Sequence, residues 1–159
     1  MWLLAVQRQP DIRRLTQVED EQLSGSPLLG AIRRFVPGAH AFLFSLSPTP
    51  EEVAQAVERA RSGDVDVVVL GTFNAHLDDR QAALVDAVVD TGVPTIVVAM
   101  RNPYDIEKLP SAKAYLATYS FRECAMQAAA EVVFGVTKPK ARLPVTIPGK
   151  YARGTGLNG

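Results

Sequence analysis

The chain has 159 residues, 47% hydrophobic and 21% charged, enough for one domain with a core of its own and too little for two. Seventeen basic residues balance 17 acidic ones at a sequence pI near 6.7, which argues against nucleic acid or an anionic membrane as a partner. A single cysteine, Cys124, and two histidines, His40 and His76, provide no cysteine pair for a disulfide or zinc site, so no metal is expected.

In chain order, Trp2 to Val6 is a strand-like apolar run directly after Met1, with no basic leader and no cleavage site before it. That predicts a cytoplasmic chain as given and leaves the compartment of a longer parent open, secretion included. Residues Gln7 to Leu23 mix Asp11, Glu19, Asp20 and Glu21 with Arg8, Arg13 and Arg14, and predict a long polar surface connection. Ser26-Pro27 places a capping hydroxyl before a proline at the first helical position. Leu29, Ile32 and Val36 then recur at helical spacing until Pro37-Gly38.

Ala41 to Leu46 is the second strand. Thr49-Pro50-Glu51-Glu52 forms a capping box, with Val53, Ala56, Val57 and Ala60 as the buried stripe of its helix. Val65 to Leu70 and Thr95 to Met100 are rich in Val and Ile and read as strands buried on both faces. The first of these is the longest apolar run, interrupted by Asp66 and far short of the roughly 20 residues needed to span a bilayer, so no membrane is expected. Between them a helix opens at Asp78, with Gln81 in the reciprocal capping position, buries Leu84, Val85, Val88 and Val89, and stops at Gly92.

Ala114 to Thr118 is the fifth strand. Ser120-Phe121-Arg122-Glu123 reads as another capping box, opening a helix that turns Ala125, Ala128, Ala129, Val132 and Val133 inward and ends at Gly135. Beyond it, Pro139, Pro144 and Pro148 predict an extended tail, with Leu143, Val145 and Ile147 as a candidate edge strand and a frayed end from Gly154. The alternation predicts an α/β fold: a three-layer α/β/α sandwich on a doubly wound, mostly parallel sheet of about five strands, flavodoxin-like. The expected division is a sandwich over 1–135 and an extended, Pro-rich tail over 136–159 packed on the same domain.

Open α/β sheets bind ligands beyond the carboxyl ends of their strands. The first such loop, Gln7-Arg8-Gln9-Pro10-Asp11, lacks the glycines of a dinucleotide site, and Gly25 and Gly30 are followed by Ala31-Ile32 where a phosphate loop needs Lys-Ser/Thr. No cofactor is expected. Gly-x-Ser-x-Gly is absent, and Cys124 is expected to be a buried structural thiol. Tyr115, Tyr119 and Phe121 are read as core and loop packing, and Lys138, Lys140, Arg142 and Lys150 as a solvated edge.

The informative loops follow the third and fourth strands, where Asn74, His76, Arg101, Asn102, Tyr104 and Asp105 bring amide, imidazole, guanidinium, phenol and carboxylate to neighbouring strand ends. Taken singly, the two asparagines suit turns, Arg101 suits a pair with Asp105, and His76 suits a cap or a solvent-facing position. Together they mark a substrate-adjacent or domain-interface surface. No catalytic residue is assigned.

Val67-Val68-Val69-Leu70-Gly71-Thr72-Phe73-Asn74-Ala75-His76, then Gly92-Val93-Pro94 through Arg101-Asn102-Pro103-Tyr104-Asp105, then Ala114 to Tyr119, resemble the carboxy-terminal domain of glycoside hydrolase family 3. The nearest branch is that of the bacterial two-domain β-N-acetylglucosaminidases (β-N-acetylhexosaminidases). Pro139-Lys140-Ala141-Arg142-Leu143-Pro144-Val145-Thr146-Ile147-Pro148 resembles the family's terminal signature, with Ala141 where a glycine is usual. The resemblance covers the chain after about Ala39 and is weaker before it.

The resemblance implies a domain that packs against a (β/α)8 barrel, in cis or in trans, and the barrel is not in this sequence. It places the aspartate nucleophile on that barrel, together with the acid/base histidine of the N-acetylglucosaminidase branch, so no residue here inherits those roles. In the β-glucosidase branch a glutamate of this domain is the acid/base, and neither Glu107 nor Glu123 is assigned to it. Retaining hydrolysis needs two groups flanking one bond, and the sequence offers no convincing pair. The expectation is therefore an accessory, non-catalytic domain of a glycoside hydrolase, bracing the barrel and bordering a carbohydrate cleft, with an apolar patch that drives self-association when the domain is alone. The alternative is an autonomous small-ligand, sugar-like binding protein of the same fold.

Overall fold

The computed structural model describes the backbone of residues 2–6 and residues 26–157 in full. The polar connection expected over Gln7 to Leu23 lies outside the described residues. Five strands, β1 (Trp2–Val6), β2 (His40–Phe44), β3 (Val68–Thr72), β4 (Thr95–Ala99) and β5 (Ala114–Ala117), form one parallel sheet in the order β2-β1-β3-β4-β5. This is the flavodoxin-like doubly wound order. Four α-helices lie among the described residues: α1 (Pro27–Arg33), α2 (Pro50–Ala60), α3 (Asp79–Val89) and α4 (Glu123–Val133). Helix α1 packs on α4 and α2 on α3, the pairing expected when helices cover both sheet faces.

The core is aliphatic and follows the periodicity of the sequence. All five β3 residues are buried, Val97 to Ala99 of β4 are buried, and Leu28, Ile32, Ala56, Leu84, Val85, Val88 and Met126 close over them. Phe35 stacks on Phe134 with ring centroids 4.6 Å apart where α1 and α4 end. Capping is as expected at α1, where Ser26 accepts from Leu29 N. It is also as expected at α2, where Thr49 and Glu52 complete the reciprocal box. Helix α4 stops at Gly135, φ 71°, where Val136 N donates to Glu131 O and Gly135 N to Val132 O, closing the last turn with a left-handed residue.

Several elements depart from expectation. Strand β3 starts at Val68 rather than Val65 and runs two residues past Leu70: Gly71 and Thr72 pair with Val98 and Ala99, and a Cβ at Gly71 would lie 3.2 Å from Met100 Cε. Helix α4 begins at Glu123 rather than Ser120. Tyr119 sits at φ 58° and Thr118 Oγ1 donates to Ser120 O, which holds 118–120 as a turn, while Glu123 reaches Arg34 instead of folding back as a box. Met126 and Ala130 occupy the inward face with Ala129, and Ala128 is exposed. The tail adds no edge strand to the sheet. It pairs with itself instead: Ile147 bridges Tyr151, and Leu143 exchanges bonds with Gly154 and Thr155, so that end is tied where fraying was expected.

Candidate functional site

Because β3, β4 and β5 are in register at Thr72, Ala99 and Ala117, the loops that follow them start side by side. Met100 N still donates to Thr72 O and Thr118 N to Ala99 O, carrying the ladder past the strands. The β3 loop turns at Asn74, whose φ of 56° is tolerable for asparagine, into a 3₁₀ turn over Ala75–Leu77. After β4, Asn102 accepts from Tyr104 N and caps a second 3₁₀ segment, Pro103–Glu107.

Asp105 is the centre of the arrangement, fully buried at 0% exposure. Its Oδ2 accepts from Thr72 Oγ1 at 2.8 Å, and its Oδ1 accepts from His76 N at 3.3 Å and pairs with His76 Nδ1 at 2.9 Å. A charge taken from water persists only if its acceptor capacity is filled, and here the β3 loop supplies the donors. With a carboxylate facing Nδ1, the imidazole proton belongs on Nδ1 and the Nε2 side is left for other contacts. The Tyr104 ring lies beside it, centroids 5.8 Å apart. Asn102 Nδ2 donates to Asn74 Oδ1 at 2.7 Å, joining the two loops a second time.

Of the six residues expected at this surface, five meet in that network: Asn74, His76, Asn102, Tyr104 and Asp105. Arg101 does not pair with Asp105. Its guanidinium lies 5.4 Å from the centroid of the Phe73 ring and is exposed, because Thr72 and His76 already fill the carboxylate. Three further residues hold the site together. Thr72 reaches Asp105 only because β3 extends to it. Gln81, expected as a reciprocal cap, is buried instead and accepts from Phe73 N while donating to Phe73 O and Leu46 O. Tyr115 donates to Pro103 O at 3.1 Å, and burial pushes its phenol pKa up, with the nearby Asp105 charge adding to the rise.

Two other expectations are corrected. Cys124 is exposed, in the first turn of α4, beside an open depression of about 470 Å³ that it lines with Arg34, Arg122, Glu123 and Gln127. It lies off the inward stripe of Met126, Ala129 and Ala130. Tyr119, expected in packing, is 41% exposed.

The model of the glycosyl hydrolase family 3 C-terminal domain matches residues 9–155, further toward the amino terminus than the resemblance from Ala39 suggested. The chain is 32% identical over 109 residues to a β-glucosidase of Rhizobium radiobacter, spanning 60% of this chain and 13% of that protein. It is 30% identical over 112 residues to a lysosomal β-glucosidase of Dictyostelium discoideum, spanning 61% and 13%. Among solved structures, a family 3 β-N-acetylglucosaminidase from Paenibacillus sp. superposes with TM-score 0.68 at 31% identity, over 84% of this chain and 25% of that one. A fungal multi-domain family 3 β-N-acetylglucosaminidase shares the fold, with TM-score 0.74 at 23% identity, over 99% of this chain and 16% of that one. The chain thus spans a quarter or less of these relatives. With the family model matching residues 9–155, the chain belongs to the glycosyl hydrolase family 3 C-terminal domain family.

Proposed function

We propose that this domain is the accessory, non-catalytic partner of a (β/α)8 barrel in an enzyme of the β-N-acetylglucosaminidase kind, bracing the barrel and bordering its substrate cleft with the loops after β3 and β4. The observation that carries this reading is the family match over residues 9–155 in a chain spanning 25% of a β-N-acetylglucosaminidase and 13% of the β-glucosidases it resembles. The chemistry of the loops supports it. Asp105 is sealed from solvent and committed to Thr72 and His76, so it is unavailable as a nucleophile toward a sugar. Asn74 and Asn102 are committed to each other and to a backbone turn. These groups hold a surface in shape; they do not form a flanking acid and base.

The test is hydrolysis of a chromogenic β-N-acetylglucosaminide by the purified chain, alone and mixed with a separately produced family 3 barrel domain. The expected result is no turnover by the chain alone, with the activity or thermal stability of the barrel raised on mixing. Turnover by the chain alone that survives further purification overturns the reading.

A further inference from the structure

The balance of 17 basic and 17 acidic residues hides a segregation. Residues 136–159 hold Lys138, Lys140, Arg142, Lys150 and Arg153 and no aspartate or glutamate, whereas residues 50–90, which include α2 and α3, hold nine acidic and three basic residues. All five tail cations are exposed. The fold gathers the last three onto one hairpin. Pro148-Gly149, with Gly149 at φ 69°, turns the chain back, Ile147 and Tyr151 exchange backbone bonds of 2.8 and 3.0 Å, and Leu143 is bonded to Gly154 and Thr155 on the return arm. At the far end the arms close tightly, since a Cβ on Gly156 would lie 2.9 Å from Ala141 O.

Along the first arm Leu143, Val145 and Ile147 are half-buried or buried while Arg142, Pro144 and Thr146 are exposed, so the arm has one face on the domain and one in solvent. Arg142 stands on the solvent face, and its Nη1 donates to Gly154 O at 3.1 Å, beside Arg153. Arg153 N in turn donates to Thr146 Oγ1 at 3.2 Å on that same face, and Lys150 follows the turn glycine. Like charges gathered on one hairpin repel one another, and the tail has no carboxylate side chain to offset them. A bound anion removes that repulsion.

The rest of the charge distribution narrows the choice of anion. Duplex nucleic acid carries a negative charge about every 1.7 Å, and an anionic membrane is an extended plane, so both set their charge against the acidic 50–90 region as well as against the tail. A carboxylated glycan spaces its charges by whole sugar rings and lies along the hairpin alone, where Tyr151, 46% exposed, offers a ring face to a sugar.

We propose that the 142–153 hairpin is a binding site for a carboxylated glycan chain, with Arg142, Lys150 and Arg153 pairing with its carboxylates and Lys138 and Lys140 extending the contact. The choice of a glycan rests on the proposed function, since the relatives of this chain are glycosidases; the cationic hairpin itself does not.

The test is calorimetric titration of the 159-residue chain with polygalacturonate, neutral dextran, duplex DNA and vesicles of anionic phospholipid, at low and at physiological ionic strength. Polygalacturonate is expected to bind, about 10-fold more weakly at the higher ionic strength, and dextran is not. Lys150→Gln with Arg153→Gln should weaken binding about 10-fold, and Lys138→Gln with Lys140→Gln about 3-fold. Arg61→Gln with Arg80→Gln, which removes the same charge at exposed positions outside the tail, should change it less than about 2-fold. Melting temperatures of the three double variants should match that of wild type. Absence of polygalacturonate binding, dextran bound as tightly, or equal weakening by the Arg61 and Arg80 pair overturns the site. DNA or vesicles bound more tightly than polygalacturonate overturn the glycan in favour of that polyanion. Because no barrel is present in the assay, each of these outcomes leaves the accessory role standing.

Discussion

Asp105 and Glu52 each fasten the loop beyond a strand, the first after β3 and the second after β2, and they do so in opposite surroundings. Glu52 is partly exposed and draws its donors from within seven residues: Thr49 N at 2.9 Å, Ser45 N at 2.9 Å and Ser45 Oγ at 2.7 Å. Asp105 is fully buried and its donors, Thr72 and His76, lie 33 and 29 residues away. A short loop costs little to close, and solvent can replace any bond that Glu52 loses. The Asp105 network closes a long loop, and nothing replaces its bonds. The stability at stake therefore scales with burial rather than with the number of bonds.

The sharpest way to break that comparison is Asp105→Ala. It leaves Thr72 Oγ1 and His76 N without their acceptor in a dry site and opens a void, so it should cost about 3–5 kcal/mol in denaturant unfolding. Asp105→Asn, which keeps the volume and an acceptor oxygen, should cost less. A loss for Asp105→Ala no larger than that for a Glu52 substitution would mean that water reaches the β3 loop.

Gln81→Leu should rank next, at about 2–3 kcal/mol, because it strands Phe73 N, Phe73 O and Leu46 O in a buried corner. Since Gln81 ties the start of β2's loop to the start of β3's, hydrogen exchange at Phe73 should rise more than exchange in the middle of α3. Uniform exchange across both would show that the amide packs without organising the loop.

What the sequence disclosed divides along the same line. The Thr49–Glu52 box, the Ser26 cap and the Asp78 cap involve residues at most three apart, and spacing alone exposes them. The parallel sheet and its helical layers followed from the alternation of apolar runs with helical periods. The Asp105 network pairs residues about thirty apart, so the site was legible as a set of polar residues and not as a set of bonds. Gln81 carries the same local spelling as Glu52, three residues after a capping side chain, yet it faces inward. It shares a stripe with Leu84, Val85 and Val88 at helical spacing, and that signal would have placed it in the core. Thr72 likewise continues the alternate-residue face of Val68 and Leu70, a pattern hidden by reading Gly71 as the end of the strand.

The smallest expected effect belongs to Glu52. Burial works to raise its pKa, but the bonds from Thr49 and Ser45 outweigh burial and lower it from the ordinary 4.5. A carboxylate held below its unfolded value stabilises the fold fully above that value and stops doing so as pH falls through the lowered one. Asp78, lowered from 3.8 by Ser47 and Arg80 against a burial penalty, works in the same direction. Wild-type stability should therefore be flat from neutral pH down to about 4.5 as far as these groups are concerned, and then fall. Glu52→Gln should cost about 1 kcal/mol at pH 7, the size of a helix cap, because solvent screens the site. The deficit should shrink as pH drops through the acid range, since protonation of wild type removes the same charge. A deficit that persists unchanged at pH 3 would assign the contribution of Glu52 to the packing of its stem, and its likeness to Asp105 would then be geometric and not electrostatic.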